Sequence, residues 1–126
     1  MVPRRILVVD DEPLVCDSIK RMLEFDGHQV EIATSGQAAL EVFEKARFDL
    51  IMIDYRMPTM RGDKLAVLIK ARAPTQPILM ISATAQVLQE SAEPFPGVDL
   101  MISKPFPLEE LRDAIARVLP NAAPGA

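Results

Sequence analysis

Short aliphatic runs occupy residues 6–9, 50–53, 78–81 and 100–102, and between them the apolar period changes to that of a helix. That alternation constrains the fold more than any other feature. Runs this short and this uniformly apolar fit strands covered on both faces, as in a parallel sheet. A fifth segment, QVEIA at 29–33, alternates apolar and polar residues instead and reads as a strand near an edge.

Val15, Ile19, Met22 and Leu23 share one helical face, with Pro13 suited to the first turn and Gly27 to the stop. Ala39, Leu40, Phe43 and Ala46 share another after a candidate cap at Ser35, and Leu65, Leu68 and Ile69 follow Gly62. Leu108, Leu111, Ile115, Val118 and Leu119 make the last stripe, opened by Pro107. Strand and helix in alternation call for right-handed crossovers and helices on both faces of the sheet. The expected fold is a three-layer, doubly wound α/β domain. One interval fits badly: between Ile81 and Leu100, Pro94 and Pro96 leave room only for a short helix around residues 86–92.

At 126 residues the chain is one domain, long enough for a core and too short for two. Its formal net charge of -4 gives no long-range attraction to nucleic acid or anionic lipid. No apolar run approaches the roughly 20 residues of a membrane span, and no signal-peptide pattern opens the chain, so a cytoplasmic location is expected. Cys16 is the single cysteine; its helical position suits a buried small hydrophobe better than a reactive thiol. The segment PNAAPGA at 120–126 reads as a flexible tail or the start of a linker, leaving a domain over 4–119.

In an open α/β sheet, ligands sit beyond the carboxyl ends of the strands where strand order reverses. The first run ends in three consecutive acids, Asp10, Asp11 and Glu12; the others deliver Asp54, then Ser82 with Thr84 just beyond, then Lys104. Carboxylates gathered in one cleft repel unless a cation neutralises them. Hard oxygen ligands without histidine or cysteine suit Mg²⁺, which commonly bridges a phosphate. Lys104 and Ser82 add a positive charge and a donor for phosphoryl oxygens. A carboxylate can itself accept a phosphoryl group, and Asp54, alone at its strand end, is the candidate nucleophile. Singly, each residue has a structural reading as helix cap, solvated charge or turn residue. Four strand ends agreeing on one chemistry outweigh those readings.

With VVDDEP, DLIMIDYRMPTMRG and SKPF at these strand ends, the chain resembles a response-regulator receiver domain over about residues 4–119. The resemblance implies a flavodoxin-like five-stranded sheet of order 2-1-3-4-5. It also implies transfer of a phosphoryl group onto Asp54 from a phosphohistidine on a histidine kinase or histidine phosphotransfer protein. Asp10 and Asp11 would be the acidic pair for Mg²⁺, Asp11 directly and Asp10 through water, with Asp54 and the backbone carbonyl of Arg56 completing the protein ligands. Ser82 would bond the phosphoryl group and Lys104 pair with it, aimed by a cis bond to Pro105. Such a domain is no general enzyme; it catalyses only its own phosphorylation and dephosphorylation.

Departures from the family pattern are equally specific. The family usually carries an aromatic ring three residues before the lysine, and this chain has Met101, a flexible thioether that cannot act as a ring-shaped switch. With the preceding helix shortened as well, the readout is expected to use another surface. Arg56 and Thr84 occupy positions that in the family influence phosphoryl lifetime; Arg56 would either pair with or shield the phosphate, or only face solvent. Arg61 replaces an acid common in this loop. Phe95 is either an exposed partner anchor or a ring tucked under its loop. His28, at the start of the second strand, reads as a surface or strand-start histidine.

Three alternatives share parts of this pattern. A phosphatase of the haloacid-dehalogenase type would carry a second acid two residues beyond the nucleophile, where this chain has Arg56. A nucleotide or flavin module would show a glycine-rich phosphate loop, and neither common form is present. A pseudo-receiver, a phosphorylation-independent interaction module on the same fold, would be expected to have lost Asp54, an acidic partner or Lys104. All are kept.

Overall fold

A computed structural model describes residues 3–83 and 95–119. Thr84, the short helix expected around 86–92, Pro94 and the tail at 120–126 lie outside the described residues. Five parallel strands, β1 (Arg5–Val9), β2 (Gln29–Ala33), β3 (Leu50–Asp54), β4 (Ile78–Ser82) and β5 (Leu100–Ser103), form one sheet in the order β2-β1-β3-β4-β5. Four helices accompany them among the described residues: α1 (Pro13–Phe25), α2 (Gly36–Lys45), α3 (Gly62–Arg72) and α4 (Leu108–Val118).

Strand alternation divides the core into two layers. Ile6, Val8, Leu50, Met52, Leu79 and Ile81 face one side, where Cys16, Ile19 and Leu23 of α1 and Leu111 and Ile115 of α4 cover them. Leu7, Val9, Ile51, Ile53 and Ile78 face the other, against Ala39 and Leu40 of α2 and Leu65 and Ile69 of α3. Each such side chain contributes about 1.5–3 kcal/mol on burial. This is why β1, β3 and β4 read as continuous apolar runs. β2 lies at one edge, as its alternation predicts. β5 lies at the other, and there the expectation of full cover is corrected: Leu100 and Met101 are only half-buried, because an edge strand has a neighbour on one side alone.

Helix ends follow local chemistry. Pro13 sits in the first turn of α1, where its missing N–H leaves nothing unpaired. At the far end His28 N–H donates to Leu23 O at 3.2 Å and Gly27 N–H to Glu24 O at 2.9 Å. This paired stop needs a left-handed residue, supplied by Gly27 at φ +88°. Ser35 caps α2, its hydroxyl accepting from Ala38 N–H at 3.0 Å. Arg112 of α4 grips Asp26 with two bonds of 2.6 and 2.8 Å, tying that helix to the end of α1 and holding the Asp26 carboxyl below its usual range.

Candidate functional site

Strand order reverses between β1 and β3, since the chain runs from β1 out to β2 and then returns to the other side. The register aligns Val9 with Ile53, Asp54 with Ile81 and Ser82 with Ser103, so the carboxyl ends of four strands finish side by side. Asp10, Asp54, Ser82 and Lys104 therefore arrive at one mouth of the sheet.

Lys104 holds two of the acids together. Its Nζ donates to Asp10 Oδ2 at 2.8 Å and lies 3.1 Å from Asp54 Oδ1. Asp10 is fully buried and Asp54 is 4% exposed, whereas Lys104 keeps part of its surface in solvent. Burial works against the charge on Lys104, yet bonds to Asp10 and Asp54 outweigh it and raise its pKa. Burial, reinforced by the charge of Asp10, pushes the Asp54 carboxyl up to about 6, with Lys104 opposing. Lys104 is positioned by backbone: its N–H donates to Ser82 O at 3.1 Å, and the Lys104–Pro105 bond is cis, as the resemblance implies. Ser82, nearly fully buried, closes β4 on the same rim.

On the β1 side, carboxylate oxygens of Asp10, Asp11 and Glu12 all lie within 4.8 Å of one another. Glu12 was not among the expected ligands, although its place as the third consecutive acid was the available signal. Asp10 is braced on both sides: its Oδ1 accepts from Glu12 N–H at 2.9 Å, and its carbonyl accepts from the Cys16 thiol at 3.2 Å. The thiol is buried and pushed up to about 11 by burial and by Asp10, which fits a packing residue. Among the described residues, carboxylate oxygens and the Lys104 ammonium meet here, a set that suits a hard divalent cation.

The loop after β3 closes over the backbone of Asp54. Tyr55 N–H donates to Ile81 O at 2.9 Å, and Gly62 N–H donates to Tyr55 O at 2.8 Å. A Cβ on Gly62 would run into the Asp54 carbonyl oxygen and stand 2.9 Å from Ile53 Cγ2, so only glycine permits this approach. Arg56 is exposed at the rim. Phe95 tucks in, its ring centroid 5.3 Å from that of Tyr55. Met101 sits half-buried on β5, paired in register with Met80. His28 is far from this mouth, at the strand starts; it is buried, which corrects the surface alternative, and its Nδ1 accepts from Arg4 N–H at 2.9 Å. Among the described residues no helix is long and apolar enough to cross a membrane.

Known proteins resemble this chain in sequence and in fold. The chain is similar to the response regulator MprA of Mycolicibacterium vanbaalenii, 35% identical over 123 residues that cover 98% of this chain and 53% of that protein. It thus spans about half the length of the curated relatives it matches. Among solved structures, the response regulator TrrA of Thermotoga maritima, in complex with Mg²⁺-BeF, superposes with a TM-score of 0.83 at 28% identity, covering 92% of this chain and 99% of that one. The chemotaxis response regulator CheY4 of Vibrio cholerae gives 0.82 at 31%, covering 93% and 99%. A family model for the response regulator receiver domain matches residues 6–116. Sheet order, strand-end chemistry and these likenesses agree, and the chain belongs to the response regulator receiver domain family of two-component signalling.

Proposed function

We propose that this domain takes a phosphoryl group from a phosphohistidine on a histidine kinase or phosphotransfer protein onto Asp54, and that it does so with Mg²⁺. The observation that carries the reading is the shared ammonium: Lys104 binds Asp10 and Asp54 together at the mouth of the sheet. Asp10, Asp11 and Glu12 offer carboxylate oxygens for the metal, and Asp54 and the backbone carbonyl of Arg56 would complete the set. When bound, Mg²⁺ supplies positive charge that offsets the phosphoryl oxygens.

The chain's own residues account for the rest. An Asp54 carboxylate oxygen attacks phosphorus, the bond from phosphorus to the imidazole nitrogen breaks, and the imidazole leaves with the electron pair. Burial lowers the shielding of Asp54 by water, and Lys104 turns from the carboxylate to the transferred oxygens. Ser82 donates a hydroxyl to the same group. The domain catalyses only its own phosphorylation and dephosphorylation, in the cytoplasm, without direct contact to nucleic acid. Intact mass after mixing with Mg²⁺ and acetyl phosphate tests this: one phosphoryl increment on the native chain, none on Asp54→Asn. No increment on either protein would favour the phosphorylation-independent interaction module.

A further inference from the structure

Tyr55 directly follows the proposed acceptor, and its backbone is anchored twice, its N–H donating to Ile81 O and its carbonyl accepting from Gly62 N–H. Its ring is claimed from two sides. The Phe95 ring lies at 5.3 Å with a 44° tilt, and the Arg61 guanidinium carbon lies 5.4 Å from the Tyr55 centroid. Arg61 is itself held by Asp63 through Nε and Nη2, each at 3.1 Å. One ring thus joins the end of β3, the loop before α3 and the chain leading into β5.

The far side of this contact is also fastened. Val98 N–H donates to Phe95 O at 3.2 Å, and Asp99 N–H to Ile78 O at 3.0 Å. The Asp99 carboxylate takes Ile78 N–H at 2.8 Å and Lys70 Nζ at 3.1 Å. Motion of the Tyr55 ring therefore has a physical route to residues 95–99. A phosphoryl group on Asp54 would replace a carboxylate of charge −1 with an acyl phosphate of charge about −2 one residue away, and draw on the cation that covers this ring. We propose that Tyr55 is a positioning residue that couples the state of Asp54 to the chain entering β5 through its contact with Phe95. This rests on the phosphoacceptor reading above.

Tyr55 is the single tyrosine and the chain has no tryptophan, so tyrosine emission reports on this ring alone. The test mixes the full chain with Mg²⁺ and acetyl phosphate, following intact mass, tyrosine emission and the amide signals of Val98 and Asp99 together. Emission is expected to change in step with the mass increment while both amides shift. Phe95→Leu should still gain the phosphoryl mass but lose more than half of the amide shift, and Tyr55→Leu should do the same from the other side. Tyr55→Phe, which keeps a ring, should retain the shift. Full amide shifts in both leucine variants overturn the coupling. So does a mass increment with unchanged emission and unshifted amides, which leaves the phosphoacceptor reading standing. No mass increment on the native chain overturns the phosphoacceptor reading and the coupling with it.

Discussion

The Lys104 ammonium donates to Asp10 Oδ2 at 2.8 Å across 94 residues of sequence. The same nitrogen reaches Asp54, so one cation from the end of β5 neutralises acids from the ends of β1 and β3. Lys104→Met keeps an unbranched side chain one atom shorter and removes the charge, leaving two buried carboxylates facing each other. Breaking a fully buried pair costs about 3–5 kcal/mol, and the partial exposure of Lys104 brings the expected loss to about 2–3 kcal/mol. Urea unfolding should show it, with added Mg²⁺ restoring part of the loss. Equal midpoints would remove the ion pair from the account.

Asp54 carries the opposite sign of effect. Its carboxyl is raised to about 6, so between the ordinary carboxylate value and that point the folded state binds more protons than the unfolded one. Stability contributed by this group is therefore present below about pH 4 and lost as the pH rises through about 6. Asp54→Asn should be more stable than the native chain at pH 7.5 without Mg²⁺, by up to about 3 kcal/mol. That advantage should vanish toward pH 4. Unfolding curves of the two proteins across this range decide it, and a difference independent of pH would contradict the burial argument.

Gly62→Ala places a methyl group against the Asp54 carbonyl oxygen and Ile53 Cγ2. Backbone, unlike the end of a flexible side chain, yields only by shifting the strand. The expected loss is about 1–3 kcal/mol, and the displaced Asp54 should accept phosphoryl more slowly. Denaturation and the rate of mass increment check the two halves separately. An alanine variant with native stability would mean that the loop accommodates the methyl freely.

His28 is the single histidine, and burial lowers its pKa below 6.5. Its Nδ1 accepts from the backbone of Arg4, which requires the neutral ring. The unfolded chain binds the proton more readily, so the stability His28 contributes is present above about pH 6.5 and lost as the pH falls toward the lowered native value. An NMR titration of the imidazole should give a midpoint below 6.5. A midpoint at or above that value would contradict the buried, neutral assignment.

Much of this molecule is legible without coordinates. Ile6 to Val9 and Leu50 to Ile53 are apolar on both faces because both faces are covered, and QVEIA alternates because β2 is an edge. Pro13, Ser35 and Gly27 mark helix ends through local backbone chemistry alone. The acidic run and Lys104 announce a charged site by composition at strand ends. Glu12 escaped because one acid more or less in a run has no distinctive pattern. His28 escaped because one polar residue at a strand start does not say whether a helix end will cover it.

By itself, the sequence determined the strands and helices of the described residues, the two covered faces of β1, β3 and β4, and the residue types that stand at each strand end. These are properties of period and residue type, carried by neighbours along the chain. Tertiary structure alone decided that Lys104 stands between Asp10 and Asp54, that Gly62 lies against the Asp54 carbonyl and that Tyr55 meets Phe95. Those contacts depend on strand order and register, which bring distant residues within a few ångströms and leave no mark in any local pattern.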